Sequence, residues 1–342
     1  MTVHTRDTSV HTPTTAPAGC EAPSGPARSS AKGSRGRLNK RSTAGEVLLA
    51  YLDAQAARLS PLDLAVRRDK PDAVHQMRVT VRRLRAVLQS FTEILPDKDT
   101  RKLRDELKWL GGVLGAARDT EVLAGQLHAD LAALPTELVI GPAQARVTAH
   151  FAPREASTRQ ELLDALDSQR YRDLRADLAR LLSAPPLTAA AAEPAGRVVT
   201  RAVARAYRRT SRRMRRARQA PAGQARDLAL HEARKAAKRA RYAADAAVPG
   251  LGKKRRAKAR RLARRMKGVQ SVLGAHQDGV IARAAAREIG VRAHLAGENA
   301  FSFGLLHERA HRQVLACQHE SRRAWRRARS HKSRGWLGRA AR

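Results

Sequence analysis

At 342 residues the chain has room for one large domain or two of ordinary size, and its 68 Lys and Arg against 31 Asp and Glu give a formal charge of +37 and a pI near 11.7. That excess opposes compaction by self-repulsion and draws in polyanions: nucleic acid, an anionic membrane surface or inorganic polyphosphate. A 3% aromatic content argues against single-strand recognition by base stacking, and two distant cysteines, Cys20 and Cys317, argue against a disulfide framework.

The N-terminus has no apolar leader core and no later run approaches eighteen apolar residues, so a soluble cytoplasmic protein is expected. Residues 1–42 are rich in Thr, Ser, Pro, Ala and Gly and predict a disordered basic tail. Order should begin at Thr43, which stands at capping-box spacing from Glu46, with a helix reaching about Arg67. The stretch His75 to Leu95 follows. Met77, Val81, Leu84, Leu88, Phe91 and Leu95 share one helical face, and His75, Arg78, Arg82 and Arg85 share roughly the opposite one. A helix is expected from Asp97 to Leu114 and another after Asp119, then long ones over 142–167 and 168–183. PPLTAAAAEPAG, residues 185–196, reads as a linker between a first bundle, 43–184, and a second, 197–328.

Beyond the linker, a helix near 197–218 carries Arg201, Arg205, Arg208 and Arg212 along one face. The motif HEARKAAKRAR then matches the earlier stripe, His231 with His75, Arg234 with Arg78, Lys238 with Arg82, Arg239 with Arg83 and Arg241 with Arg85. Its apolar face is made of Ala233, Ala237, Ala240 and Ala244, which allow close helix approach. KWLGGVLGAARD (108–119) likewise matches KGVQSVLGAHQD (267–278), pairing Lys108 with Lys267 and Asp119 with Asp278, and the two offsets differ by one short loop. An internal duplication into two helical bundles accounts for this. A helix from 253 to 274, shorter pieces to about 329 and a basic tail over 329–342 complete an all-α reading.

A single basic stripe is as well explained by a solvated surface as by a site. Recurrence with the histidine in place, and further cations at Arg260, Arg264 and Lys267, favour an anion site, because arginine forks suit phosphate oxygens and facing stripes repel unless an anion lies between them. His75 and His231 fit a phosphate-contacting role better than a metal site, having cations for neighbours and no ligand at metal spacing. Asp119 and Asp278, each after a VLGA turn, read as helix N-caps. His307, Glu308 and His311 spell HExxH, yet Arg309 and Arg312 share the helix and no third ligand is marked, so no metal and no cofactor is expected.

The paired signatures, HQMRVTVRRLRAVLQSF with VLGAARD and HEARKAAKRARY with VLGAHQD, resemble the CHAD family, the conserved histidine α-helical domain, over about residues 43–328. The resemblance implies two helical subdomains around a basic groove or pore that binds inorganic polyphosphate. It implies a lining of His75, Arg78, Arg82, Arg83 and Arg85 with His231, Arg234, Lys235, Lys238, Arg239 and Arg241. Lys108, Arg118, Arg201, Arg205, Arg208, Arg260, Arg264 and Lys267 join as flanking cations. Many relatives carry a triphosphatase domain with alternating Glu and Lys; no ExExK run is present, so that activity is not implied. The expected function is non-enzymatic polyphosphate binding, with association to storage granules. Nucleic-acid binding stands as the alternative, and a phosphohydrolase lacks a general acid-base pair or metal cluster.

Overall fold

The computed structural model describes residues 38–341, and these are all-α. Residues 1–37, most of the expected tail, lie outside the described residues. Residues 38–42 are not tail: the Ser42 N–H returns to the Asn39 carbonyl (3.2 Å) and Leu38 packs on the core. The capping box forms as expected, with Thr43 N–H donating to Glu46 Oε2 (2.8 Å) and Glu46 N–H to Thr43 Oγ1 (3.3 Å). The single helix expected to Arg67 is two, α1 (Ala44–Ala56) and α2 (Leu59–Arg67). Pro61 explains the break. It cannot donate in a helix interior, and the interruption places it in the first turn of α2, where no donor is needed.

The basic helix α3 (Ala73–Ser90) buries Met77, Val81, Leu84 and Leu88. It is followed by α4 (Asp97–Ala132), α5 (Ala143–Asp167) and α6 (Gln169–Ser183). Then come α7 (Ala195–Gln219), α8 (Gln224–Ala247), α9 (Lys253–Leu295), α10 (Phe301–Ala328) and the short α11 (His331–Arg334). Two expectations fail together here. Both VLGA segments, read as turns, lie inside unbroken helices of 36 and 43 residues, α4 and α9. A glycine inside a helix costs about 1 kcal/mol against alanine, a penalty that favourable packing offsets. At Gly115 an added Cβ would lie 3.4 Å from the Arg78 guanidinium, and at Gly274 it would lie 3.3 Å from that of Arg234. Each glycine is the flat spot on which an arginine of the neighbouring basic helix rests.

The expected linker is also docked. Ala191 is buried, Thr188 Oγ1 donates to the Glu93 carbonyl (2.6 Å), and Thr43 and Pro194 form an isolated antiparallel bridge. The main core draws on both sides of it, joining Leu48, Met77, Leu84, Leu107 and Leu174 to Val203, Tyr207, Ala240, Leu262 and Met266. The buried alanines of α8, among them Ala233, Ala237, Ala240 and Ala244, let that helix sit close to its neighbours. A second apolar cluster, including Leu127, Val147, Phe151, Ile289 and Phe303, ties α4 and α5 to α9 and α10. The C-terminal stretch expected as a basic tail is folded onto the core through Trp336 and Leu337, 8% and 2% exposed, because these large apolar groups gain more from burial than the surrounding arginines lose. Among the described residues, no helix is long and apolar enough to cross a membrane.

Candidate functional site

The two basic helices meet at one cavity of about 710 Å³, walled by α3, α4, α5, α8 and α9. From α3 come His75, Arg78 and Arg82, from α4 Arg118, and from α8 His231, Arg234 and Lys238. Seven expected residues therefore converge. The Arg78 fork grips Asp119 at 2.7 and 3.1 Å, and Arg118 donates to Glu121 at 2.6 Å. Arg82 Nε donates to the Tyr242 hydroxyl at 3.2 Å. His231 Nδ1 meets Gln277 Oε1 at 3.0 Å. Gln277 thus takes a defined place in the second half. The preceding His276 turns inward, 1% exposed, with Nε2 3.2 Å from Asp227 Oδ1.

Positive charge at the α3/α8 end is dense and poorly hydrated. Burial, reinforced by the charges of Arg234, Arg82 and Arg78, pushes the Lys238 ammonium down to about 7. Burial likewise lowers Arg234, whose sealed Nε has no hydrogen-bond partner. His231 is pushed down by burial, with Lys235 and Arg234 adding to the effect and the Gln277 bond opposing it. Burial also raises Asp278, and the negative charge of Asp119 adds to this against the nearby Arg234, Lys238 and Arg78. These directions describe a place where burial disfavours charge of either sign and the cations around Lys238 repel one another. An anion entering here would meet Arg234 and Lys238, whose burial strengthens electrostatic attraction.

Asp119 and Asp278 are a correction to the sequence reading. They are mid-helix, not N-caps, and they stand as the carboxylates that answer Arg78 and Arg234. The helix expected over 142–167 forms as α5, but its place in the site, where His150, Phe151 and Arg154 line the cavity, had no sequence signal because it carries no copy of either signature.

The remaining expected residues do not line the cavity. Tyr242 organises three arginines, with the guanidinium carbons of Arg82 and Arg83 each 6.0 Å from its ring centre and that of Arg241 at 5.4 Å. Arg241 also donates to Gln270 Oε1 (3.3 Å), itself a lining residue, and so supports the wall from behind. Arg85 and Arg239 are half-buried elsewhere, Arg85 near Asp105 and Arg239 near Glu232. Arg201 and Arg205 both bond Glu93, the latter at 2.6 Å, and Lys235 bonds Glu232. Arg208 is half-buried away from the cavity, and Lys108, Arg260, Arg264 and Lys267 are exposed outside it. The sequence shows that these cations form stripes, but a helix with two polar faces does not declare which faces inward.

The HExxH residues lie on α10, where Arg283 Nη1 sits 3.1 Å from His311 Nδ1. A cationic donor on that nitrogen is incompatible with its ligating a metal. Among the described residues, no group of three or more His, Cys, Asp or Glu gathers at metal-binding geometry. Cys317 is a buried free thiol, and Cys20 lies outside the described residues.

The CHAD domain family profile matches residues 50–287, which contain both basic helices and both VLGA segments. The chain is 36% identical over 282 residues to the uncharacterized proteins MT2285 and Rv2226 of Mycobacterium tuberculosis, strains CDC 1551 / Oshkosh and ATCC 25618 / H37Rv. The match takes in 80% of this chain and 53% of each relative, so the chain spans about half their length. Among solved structures, the fold matches PptA from Streptomyces chartreusis with a TM-score of 0.68 at 23% identity, over 83% of this chain and 100% of that one. It also matches the CHAD domain from the plant Ricinus communis with a TM-score of 0.60 at 25% identity, over 88% and 94% of the two chains. With a family profile spanning most of the folded chain and a CHAD crystal structure of the same architecture, the chain belongs to the CHAD family.

Proposed function

We propose that this chain is a binding module for inorganic polyphosphate, that it performs no catalysis, and that it attaches to polyphosphate granules in the cytoplasm. The observation that carries the reading is the convergence of Arg78, Arg82, Arg234 and the buried Lys238 on one cavity. A phosphate chain offers each of them an oxygen while needing no base-reading groups. We also read the two halves as an internal duplication, supported by the shared contact of Arg78 on Gly115 and Arg234 on Gly274. The competing reading is nucleic-acid binding by the exposed cations of α9, Arg260, Arg264 and Lys267. Such binding is non-specific, outside the cavity, and falls steeply with salt.

Displacement of labelled polyphosphate at near-physiological salt separates the two. Unlabelled polyphosphate should compete at least about tenfold better per phosphate than duplex DNA or RNA, since a duplex contacts only the outer surface. Equal competition per phosphate would overturn the reading.

A further inference from the structure

The cationic groups of α3 and α8 make up only part of the cavity lining. On α4, Arg118 and Asp119 are followed one turn later by Val122 and Leu123, and on α9, Gln277 and Asp278 are followed by Ile281, Ala284 and Ala285. Phe151 of α5 closes the same end. Val122 and Ile281 are 39% and 41% exposed, so this wall presents apolar surface to water beside Arg154 and Glu288, which line the cavity near His150. An inorganic chain gains nothing from such a wall. A polar group at this end is also unsatisfied: His150 Nδ1 is sealed from solvent and has no hydrogen-bond partner. Its ring stands edge-on to Phe151, with centres 4.7 Å apart, and burial pushes its pKa down, so it offers a neutral donor or acceptor.

We infer that the cavity takes a phosphate chain carrying an organic group, the chemical class of a nucleoside polyphosphate. Its phosphates lie on Arg78, Arg82, Arg234 and Lys238. Its planar, partly apolar group lies against Val122, Phe151 and Ile281, on the side of the cavity that His150 lines. The inference rests on the proposal that the cationic end binds phosphate. The volume of about 710 Å³ lies within the range of small-molecule sites, about 300–1,000 Å³, so both parts of such a ligand have room.

The test compares ATP with tripolyphosphate by calorimetry at fixed ionic strength, with a chelator to keep divalent cations out. Tripolyphosphate carries more charge for the same number of phosphates, so charge alone favours it. The apolar wall reverses the order, and ATP should bind about five- to tenfold more tightly, the contribution of burying a few apolar groups. Ile281→Gln, at an exposed position that folding does not depend on, should abolish that advantage and leave tripolyphosphate affinity unchanged. His150→Leu should weaken ATP alone. ATP binding no more tightly than tripolyphosphate, or Ile281→Gln weakening both equally, would overturn the inference and leave the phosphate reading intact. Tripolyphosphate binding that is insensitive to Arg234→Gln would overturn both.

Discussion

If the cavity binds polyphosphate as proposed, Lys238 should make that binding proton-coupled above neutral pH. In the free protein its ammonium titrates at about 7, because burial and three neighbouring arginines disfavour the charge. A bound phosphate chain brings negative charge to the same spot and returns the group towards its ordinary value of about 10.4. The sign follows from linkage. Below pH 7 Lys238 is charged in both states, so its titration gives affinity no pH dependence. Above pH 7 the free protein holds a neutral amine, binding takes up a proton, and affinity falls with rising pH. With a free value of about 7 and a bound value back at about 10.4, the loss between pH 7 and pH 9 is about 50-fold, and uptake at pH 8 approaches about 0.9 proton per site. Calorimetry in two buffers of different ionisation enthalpy counts that proton at pH 8, where the chain's own phosphates are fully ionised. Lys238→Arg keeps its charge across this range and should abolish both the uptake and the pH dependence. Flat affinity from pH 7 to 9 in the wild type, or equal uptake by the two proteins, would refute the reasoning. The His231 window is distinct: its value is held below the ordinary 6.5, so any uptake there belongs to acid pH.

Three further outcomes follow from the same geometry. Lys238→Met should raise the melting temperature of the free protein at pH 6, where the folded state holds a buried ammonium, and the gain should vanish as the pH approaches the unfolded value of about 10.4, as thermal scans at several pH values would record. Gly274→Ala should tighten the helix by about 1 kcal/mol yet displace the Arg234 guanidinium that lies 3.3 Å from the new Cβ, so stability holds or rises while polyphosphate affinity falls several-fold. Trp336→Ala should destabilise by about 3–5 kcal/mol, as expected for a large buried aromatic, and chemical denaturation would register it; a basic tail would give no effect.

Much of this architecture was legible in the sequence. The α3 and α8 stripes stand out because a 3.6-residue period sorts a histidine and cations from an apolar face, and the structure brings His75, Arg78, Arg82, His231, Arg234 and Lys238 to one cavity. The continuity of α4 and α9 was hidden because Gly115 and Gly274 look like helix breakers until the arginines resting on them are seen. The role of Asp119 was hidden for the same reason, since its partner Arg78 lies on another helix. Arg201 and Arg205 resemble site cations in sequence and are instead held by Glu93, which follows α3. The apolar wall left no local signal at all. Val122, Phe151 and Ile281 come from three helices and form a surface only when these pack.

The central claim is that a defined cavity, and not the bulk charge of +37, binds polyphosphate. Two double variants that remove the same charge test it most directly, with affinities measured at pH 6, where Lys238 is charged, and at about 150 mM salt, where the Debye length of about 8 Å damps the bulk field. Arg234→Gln with Lys238→Gln empties the cavity of two half-buried cations, whereas Arg260→Gln with Arg264→Gln removes two exposed ones from the outside of α9. The account predicts a loss of at least about 100-fold for the first pair, since each charge-assisted hydrogen bond contributes about 1.5–3 kcal/mol, and no more than about threefold for the second. Equal losses from the two pairs would contradict it.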